Sequence, residues 1–384
     1  MLRLGVFFDG TGNNLYNDDL IGDGSLSNVA KLYKVYRASG YTAFYSQGVG
    51  TGKYKQGKTL SAKAVEAIRQ RKKAKNDYYD ALHMAFGGDA KSFVKHKLKK
   101  VRSAVRQNGS ETVIIDVFGF SRGSAEARDF VNRINAAYKH DANVRIGFVG
   151  LFDTVATIGL ANEVNIGFNL NLSNDSAEKI VHLTAKDEHR HNFPLESLRR
   201  ADGTTEANTE EIALMGVHAD VGGGYGELDD RQDLLLKGSE FYRVYPKHKK
   251  AQAEAQIDAL RREAKEKGYE LLHTLTRLPA LSDWALDACF IEHAPVAYGL
   301  GNSSLQLMYT KASAQIPALA GLELLGETAA GHSRFEAPAA PDISYMHLSA
   351  VGDRYALSTS DWITNLKNPG GKRRVYFNDP QKAG

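Results

Sequence analysis

The stretch that most constrains this chain is Thr112-Val113-Ile114-Ile115-Asp116-Val117-Phe118-Gly119-Phe120-Ser121-Arg122-Gly123. A nearly unbroken apolar run rich in β-branched and aromatic residues reads as a strand buried on both faces. The residues that follow, Ser124-Ala125-Glu126-Ala127-Arg128-Asp129-Phe130, carry helical patterning. A serine at the junction, with glycine two before and two after, matches a nucleophile elbow, a sharp turn that exposes the hydroxyl at the sheet edge. The missing Cβ atoms at 119 and 123 let the two backbones approach. The helix N-terminus below the serine favours a developing oxyanion. A chance serine at an ordinary β-turn-α junction is the bland alternative.

Other compact apolar runs, at 3–8, 144–150, 179–184 and 211–217, alternate with helical patterns at 27–37, 92–107, 122–138 and 281–289. That alternation predicts an α/β fold with a mainly parallel central sheet flanked by helices. Residues 42–46 and 373–377 look like marginal strands. No linker divides the chain, so 1–384 is expected to be a single catalytic domain with helical insertions near 48–80 and 229–268. Segment 61–75 is helical in pattern, and 247–268 is the most helix-prone stretch, with a charged exterior that suits a solvated helix.

Composition narrows the function classes. Hydrophobic residues make up 42% and charged residues 24%, which is ordinary for a folded chain. A formal charge of +4 is too mild to point to nucleic acid. Cys289 is the only cysteine, which excludes an internal disulfide and a multi-cysteine metal site. The amino terminus runs straight into a strand pattern rather than a signal peptide, and no apolar stretch is long enough for a membrane helix. The expected localisation is cytoplasmic on synthesis, with export by a route that needs no conventional signal.

A serine nucleophile needs a base, and the base needs an acid. In chain order Ser, Asp/Glu, His, the candidates are Asp153, at the end of the 144–150 run, and His218, after the 211–217 run. Asp153 could equally cap a loop. His347, in Tyr345-Met346-His347-Leu348-Ser349, rivals His218 because it lies late in the chain, and Asp220 could serve as acid or cation ligand. The loop Asp9-Gly10-Thr11-Gly12-Asn13-Asn14 follows the first strand. Its backbone N–H groups at Gly10 and Thr11, with that of Arg122, could form an oxyanion hole; a tight turn capped by Asp9 is the plainer reading.

Taken together, these motifs resemble a bacterial and fungal family of α/β hydrolases that includes type VI secretion lipase effectors. The resemblance rests on Phe8-Asp9-Gly10-Thr11-Gly12-Asn13-Asn14, Gly119-Phe120-Ser121-Arg122-Gly123, Phe152-Asp153-Thr154-Val155, and Asp187-Glu188-His189-Arg190 with Phe193 and Pro194. Its most specific element is Val217-His218-Ala219-Asp220-Val221-Gly222-Gly223-Gly224-Tyr225. Ser282-Asp283-Trp284-Ala285-Leu286 looks like the family's helix after the histidine loop. The resemblance implies an α/β-hydrolase-like fold, Ser121 as nucleophile, His218 as base and Asp153 as acid. It also implies phospholipase A-type cleavage of membrane phospholipid, release by a type VI system into a rival cell's periplasm, a secretion-spike carrier and a neutralising immunity protein.

No cofactor is expected for that chemistry. The alternatives are a soluble carboxylesterase acting on a small substrate and a non-catalytic delivery or binding module. Lids for lipid access are expected in the 48–80 and 229–268 insertions, and 313–326 reads as a core helix or a membrane-facing segment. Asp220, Glu227, Asp229 and Asp230 make an oxygen-rich cluster that could hold Ca²⁺ but reads better as a solvated loop.

Overall fold

Strand β1 (Leu2–Phe8) sends Leu4, Val6 and Phe8 to one face of a sheet and Phe7 to the other, and all four are fully buried. This two-sided burial recurs in β3 (Val113–Phe120) and, apart from the exposed Arg145, in β4 (Val144–Phe152), which read as nearly continuous apolar runs for that reason. With β2 (Thr42–Ser46), β5 (Lys179–Ala185) and β7 (Thr209–Leu214) they form a six-stranded sheet in the order β2-β1-β3-β4-β5-β7. Every neighbouring pair in it is parallel.

The computed structural model describes residues 1–21, 24–51, 88–109, 111–156, 167–188, 193–225, 241–246, 270–275, 284–292, 299–320, 339–340 and 373–384, with isolated positions between 251 and 266. Helices Gly88–Gln107 and Arg122–Ala137 cover one face, where Val94, Val101, Phe130 and Ile134 meet Leu4, Val6 and Ile115. Helices Asn28–Ala38 and Leu300–Ser313 cover the other, where Val29, Leu32, Leu305 and Met308 meet Phe7, Phe118 and Phe148. Ser27 caps the helix that starts at Asn28 by accepting the Ala30 N–H. A buried ion pair is built into the sheet. Asp116, fully buried in β3, takes a fork of two hydrogen bonds from Arg3 at 2.7 and 2.9 Å and a third from the Tyr36 hydroxyl at 2.8 Å.

The expected α/β-hydrolase-like architecture is therefore present, with local differences. The run expected as a helix over 281–289 instead contributes β10 (Trp284–Glu292), the centre of a three-stranded antiparallel sheet with β8 (Phe241–Pro246) and β9 (Glu270–Leu275). Fewer than three helical turns fit in so short a run, and Cys289, Phe290 and Ile291 at the end of β10 suit a strand. A ladder on each side satisfies the main chain without help from helical propensity. The 229–268 insertion is correspondingly not all helical, since β8 lies within it. Its described positions 251, 255, 258, 262 and 266 are helical and exposed, as a solvated face requires.

Strand β7 starts and ends earlier than expected, at Leu214, and a turn then leads into the short helix His218–Gly222. The marginal strand at 373–377 shrinks to β11 (Val375–Tyr376), paired in parallel with β6 (Leu195–Glu196). In the 313–326 segment, Ile316 and Leu319 are buried in the core, as the core reading requires. Residues 52–87, 226–240, 321–338 and 341–372, which include 61–75, Glu227, Asp229, Asp230 and His347, lie outside the described residues. Among the described residues no helix is long and apolar enough to cross a membrane, and no group of His, Cys, Asp and Glu could hold a metal ion.

Candidate active site

Parallel strands deliver their carboxyl ends to one edge, and β3 and β4 are neighbours there. Ser121 follows β3 and Asp153 follows β4. Both carry φ in the left-handed region, 57° and 39° respectively, and no other described non-glycine residue does. Such strain costs about 1–3 kcal/mol at each position and persists only where the surroundings hold it. Here the two strained turns hold each other. The Ser121 N–H donates to Phe152 O at 3.0 Å, and the Val155 N–H donates to Ser121 O at 3.3 Å, so the elbow bonds to both flanks of Asp153.

The elbow glycines are demanded by space. A Cβ on Gly119 would lie 2.6 Å from Gly123 O and Ser124 Cα. One on Gly123 would lie 2.3 Å from Phe8 O and 2.5 Å from Asp9 O, main-chain atoms that have no rotamer to move. Gly123→Ala is expected to cost about 3 kcal/mol or more of folding stability. A denaturant melt checks this, and a wild-type midpoint would show that β1 yields.

The Asp153 carboxylate is fully buried and hydrogen-bonded along both oxygens. Oδ2 meets His218 Nδ1 at 2.6 Å, and Oδ1 accepts the Ala185 N–H at 2.9 Å. Arg373 forks onto the same carboxylate, Nη1 to Oδ1 at 2.8 Å and Nη2 to Oδ2 at 2.7 Å. Burial opposes the charge, but Arg373 and His218 outweigh it and hold the Asp153 carboxyl well below the usual range. The ring nitrogen on the carboxylate is Nδ1, which puts Nε2 on the far side of the imidazole. The ring lies between Phe120, at 4.7 Å between centroids, and Phe193, edge-on at 4.9 Å. Since Phe120 immediately precedes Ser121, this contact brings the imidazole to the elbow.

The glycine run after His218 has a packing reason. A Cβ on Gly222 would sit 1.9 Å from the Phe120 ring, so only glycine lets the histidine helix rest on the residue before the serine. That helix is braced by Asp220, whose Oδ2 accepts the Val217 N–H at 3.0 Å, and by Glu188, which accepts the His218 N–H at 3.2 Å. Asp220 thus bonds the cap of its own helix, and the carboxylate on His218 Nδ1 is that of Asp153. A second buried histidine supports the acid turn. His182 Nε2 accepts the Thr154 N–H at 3.1 Å while Nδ1 faces Glu211 Oε2 at 3.0 Å. That arrangement assigns the His182 proton to Nδ1.

The loop after β1 reaches the same edge. Arg122 Nε donates to Thr11 Oγ1, tying the loop to the elbow. The Gly10 N–H, expected as an oxyanion donor, donates instead to Asp9 Oδ1 at 2.8 Å. Asp9 also accepts the Tyr45 hydroxyl at 2.5 Å. Burial pushes the Asp9 carboxyl up to about 7, against hydrogen bonds from Ser27, Tyr45 and Gly10. A carboxyl raised on folding stabilises the protein fully below its unfolded value near 3.8 and progressively less as pH rises to about 7. Asp9→Asn is therefore expected to flatten that decline. Melting temperatures of both proteins from pH 4 to 8 check it, and parallel curves would reject the assignment.

Sequence reasoning missed Arg373, Phe193 and Glu188 as site residues. Phe193 and Glu188 lay within recognised motifs without a role. Arg373 carried no local signal, being one of two arginines in a marginal strand 220 positions from Asp153.

Comparison with known proteins bears on the fold and the family. The Tle1 effector of the type VI secretion system, solved bound to the VgrG spike, is 22% identical, with 82% of this chain and 73% of that chain covered at a TM-score of 0.52; the likeness is one of fold. An uncharacterised protein from Pseudomonas aeruginosa is 25% identical over 59% of this chain and 42% of its own, at a TM-score of 0.36. A structure from work on the metagenome-derived lipolytic enzymes LipS and LipT is 11% identical over 57% of this chain and 87% of its own, at 0.30. Among curated proteins none matches. The family model for the catalytic domain of Tle1-like type VI secretion phospholipase effectors matches residues 3–138 and 130–237, more than half of the 384-residue chain. With the parallel sheet and the elbow in place, the chain belongs to the Tle1-like phospholipase effectors of the type VI secretion system.

Proposed function

We propose that the chain hydrolyses carboxylic esters of membrane phospholipids by serine catalysis, with Ser121 as nucleophile, His218 as base and Asp153 as acid. The observation that carries this reading is the strained Ser121 turn hydrogen-bonded to the flanks of an Asp153 that is itself bonded to His218 at 2.6 Å. His218 takes the hydroxyl proton as Ser121 Oγ attacks the ester carbonyl, and Asp153 stabilises the imidazolium that forms. The oxyanion faces backbone donors at the start of the elbow helix, the Arg122 N–H first, with the Thr11 N–H from the β1 loop. The Gly10 amide joins them only if it leaves Asp9. His218 then protonates the leaving lysophospholipid alcohol, and water cleaves the acyl-enzyme by the reverse route. No step calls for a cofactor.

Family membership further supports an antibacterial role, with delivery into a target cell and with phospholipid reached from its periplasm. A spike protein as carrier is supported by the related effector solved on VgrG, and the reading includes a neutralising immunity protein in the producing cell. The test is labelling with a fluorophosphonate probe alongside fatty-acid release from phospholipid vesicles and turnover of a short-chain ester. Labelling with release from vesicles is the expected result. Ester turnover with intact vesicles would leave a small-substrate carboxylesterase, and no labelling or turnover would leave a binding module.

A further inference from the structure

The Ser–Asp–His arrangement does not require an arginine, yet a guanidinium occupies the far side of the acid. All three Arg373 nitrogens are engaged. Nη1 and Nη2 fork onto the two Asp153 oxygens, Nη1 also donates to Ala185 O at 3.1 Å, and Nε donates to Phe193 O at 2.7 Å. Each acceptor belongs to the site. Ala185 donates its own N–H to Asp153, and the Phe193 ring packs on His218. The side chain is only 8% exposed against a carboxylate that is 0% exposed, so the pair is shielded from water. Arg373 is held in place by the segment after it, through Leu195 N–H to Arg374 O, Ser197 N–H to Tyr376 O and Asn378 N–H to Arg199 O.

We propose that Arg373 is the positioning residue of the triad, fixing the plane of the Asp153 carboxylate so that Oδ2 faces His218 and setting the charge of the acid–base pair. The inference rests on the triad reading above. A planar fork fixes both oxygens of a carboxylate at once, which a lysine ammonium, a single point of charge, does not. Charge follows from the same contact. An aspartate alone stabilises the imidazolium strongly, whereas an aspartate neutralised by a guanidinium does so less, leaving His218 unprotonated and able to act as base at lower pH. Among the described residues, the other charged groups bonded around the His218 turn are Glu188 behind its amide, and Asp187 and Asp220 on the amides of Gly216 and Val217. The test variants keep those three unchanged.

The experiment measures kcat and KM against pH on monomeric short-chain phosphatidylcholine for wild type, Arg373→Gln, Arg373→Lys and Ser121→Ala. Arg373→Gln is expected to lower kcat roughly tenfold or more with little change in KM. Its acid limb of kcat/KM is expected to move up by about one pH unit. Arg373→Lys, which keeps the charge but not the fork, is expected to keep the wild-type limb and still lose kcat. A folded Arg373→Gln with the wild-type profile overturns the proposal. Should Arg373→Gln fail to fold, wild-type kcat in Arg373→Lys overturns it. Activity surviving in Ser121→Ala would instead remove the triad reading itself, an outcome distinct from failure at Arg373.

Discussion

Ser121→Ala is expected to reduce phospholipid hydrolysis by roughly 10⁴-fold or more and to abolish fluorophosphonate labelling, with the fold intact. The hydroxyl is the only atom removed. Ser121 is held by its main chain, through its N–H to Phe152 O and its O to the Val155 N–H, and no side-chain cap is formed at the start of the elbow helix. Alanine tolerates the left-handed φ of 57° no better than serine, so the strain is unchanged and the melting temperature should move little. Activity falling without stability is thus the signature of a nucleophile. Activity retained within tenfold would exclude Ser121, and a collapse in melting temperature would make it a structural residue.

A different double loss is expected at the acid. Asp153→Asn replaces one acceptor oxygen by an NH₂ group at a site where every neighbour donates: Ala185 N–H, both Arg373 Nη groups and His218 Nδ1. Whichever way the amide turns, its N–H groups face a donor. If it faces His218, the imidazole must switch tautomer to accept from it, and catalysis is expected to fall by about 10⁴-fold in kcat. The Arg373 charge also loses its counter-ion inside the protein, a change expected to cost about 3–5 kcal/mol. Because the Asp153 carboxyl is depressed on folding, its contribution is present above its unfolded value and fades as pH falls toward the folded one. The stability gap between wild type and Asp153→Asn should therefore be full at neutral pH and narrow in acid. Denaturant melts at pH 7 and pH 3 measure it, and an equal gap at both would mean that charge is not its cause.

These two losses differ because the residues are anchored differently. Ser121 sits on a turn whose geometry is set by main-chain bonds and by glycines that admit no Cβ. Asp153 sits at the centre of a side-chain network reaching β5, the histidine helix and the segment before β11.

What the sequence by itself determined is local and periodic. The parallel strands are legible because a strand buried on both faces must be mostly apolar, and β1, β3, β4 and β5 are, with Arg3, Asp116 and His182 as paired buried exceptions. The elbow is legible because strand, serine, two glycines and helix fall within one short window. Asp153 and His218 could be nominated because each follows a strand run, although His347 stayed in contention until the family resemblance favoured His218. Only the tertiary structure decided the rest. The run at 284–292 became a strand because two partners offered ladders that outweigh the weak preference of so short a segment. Gly222 is needed because Phe120 lies against it, a contact between elements about a hundred residues apart. Arg373 reaches Asp153 across 220 positions, and no pattern along a chain marks such a pair, because what joins them is the folding of a late strand against β6.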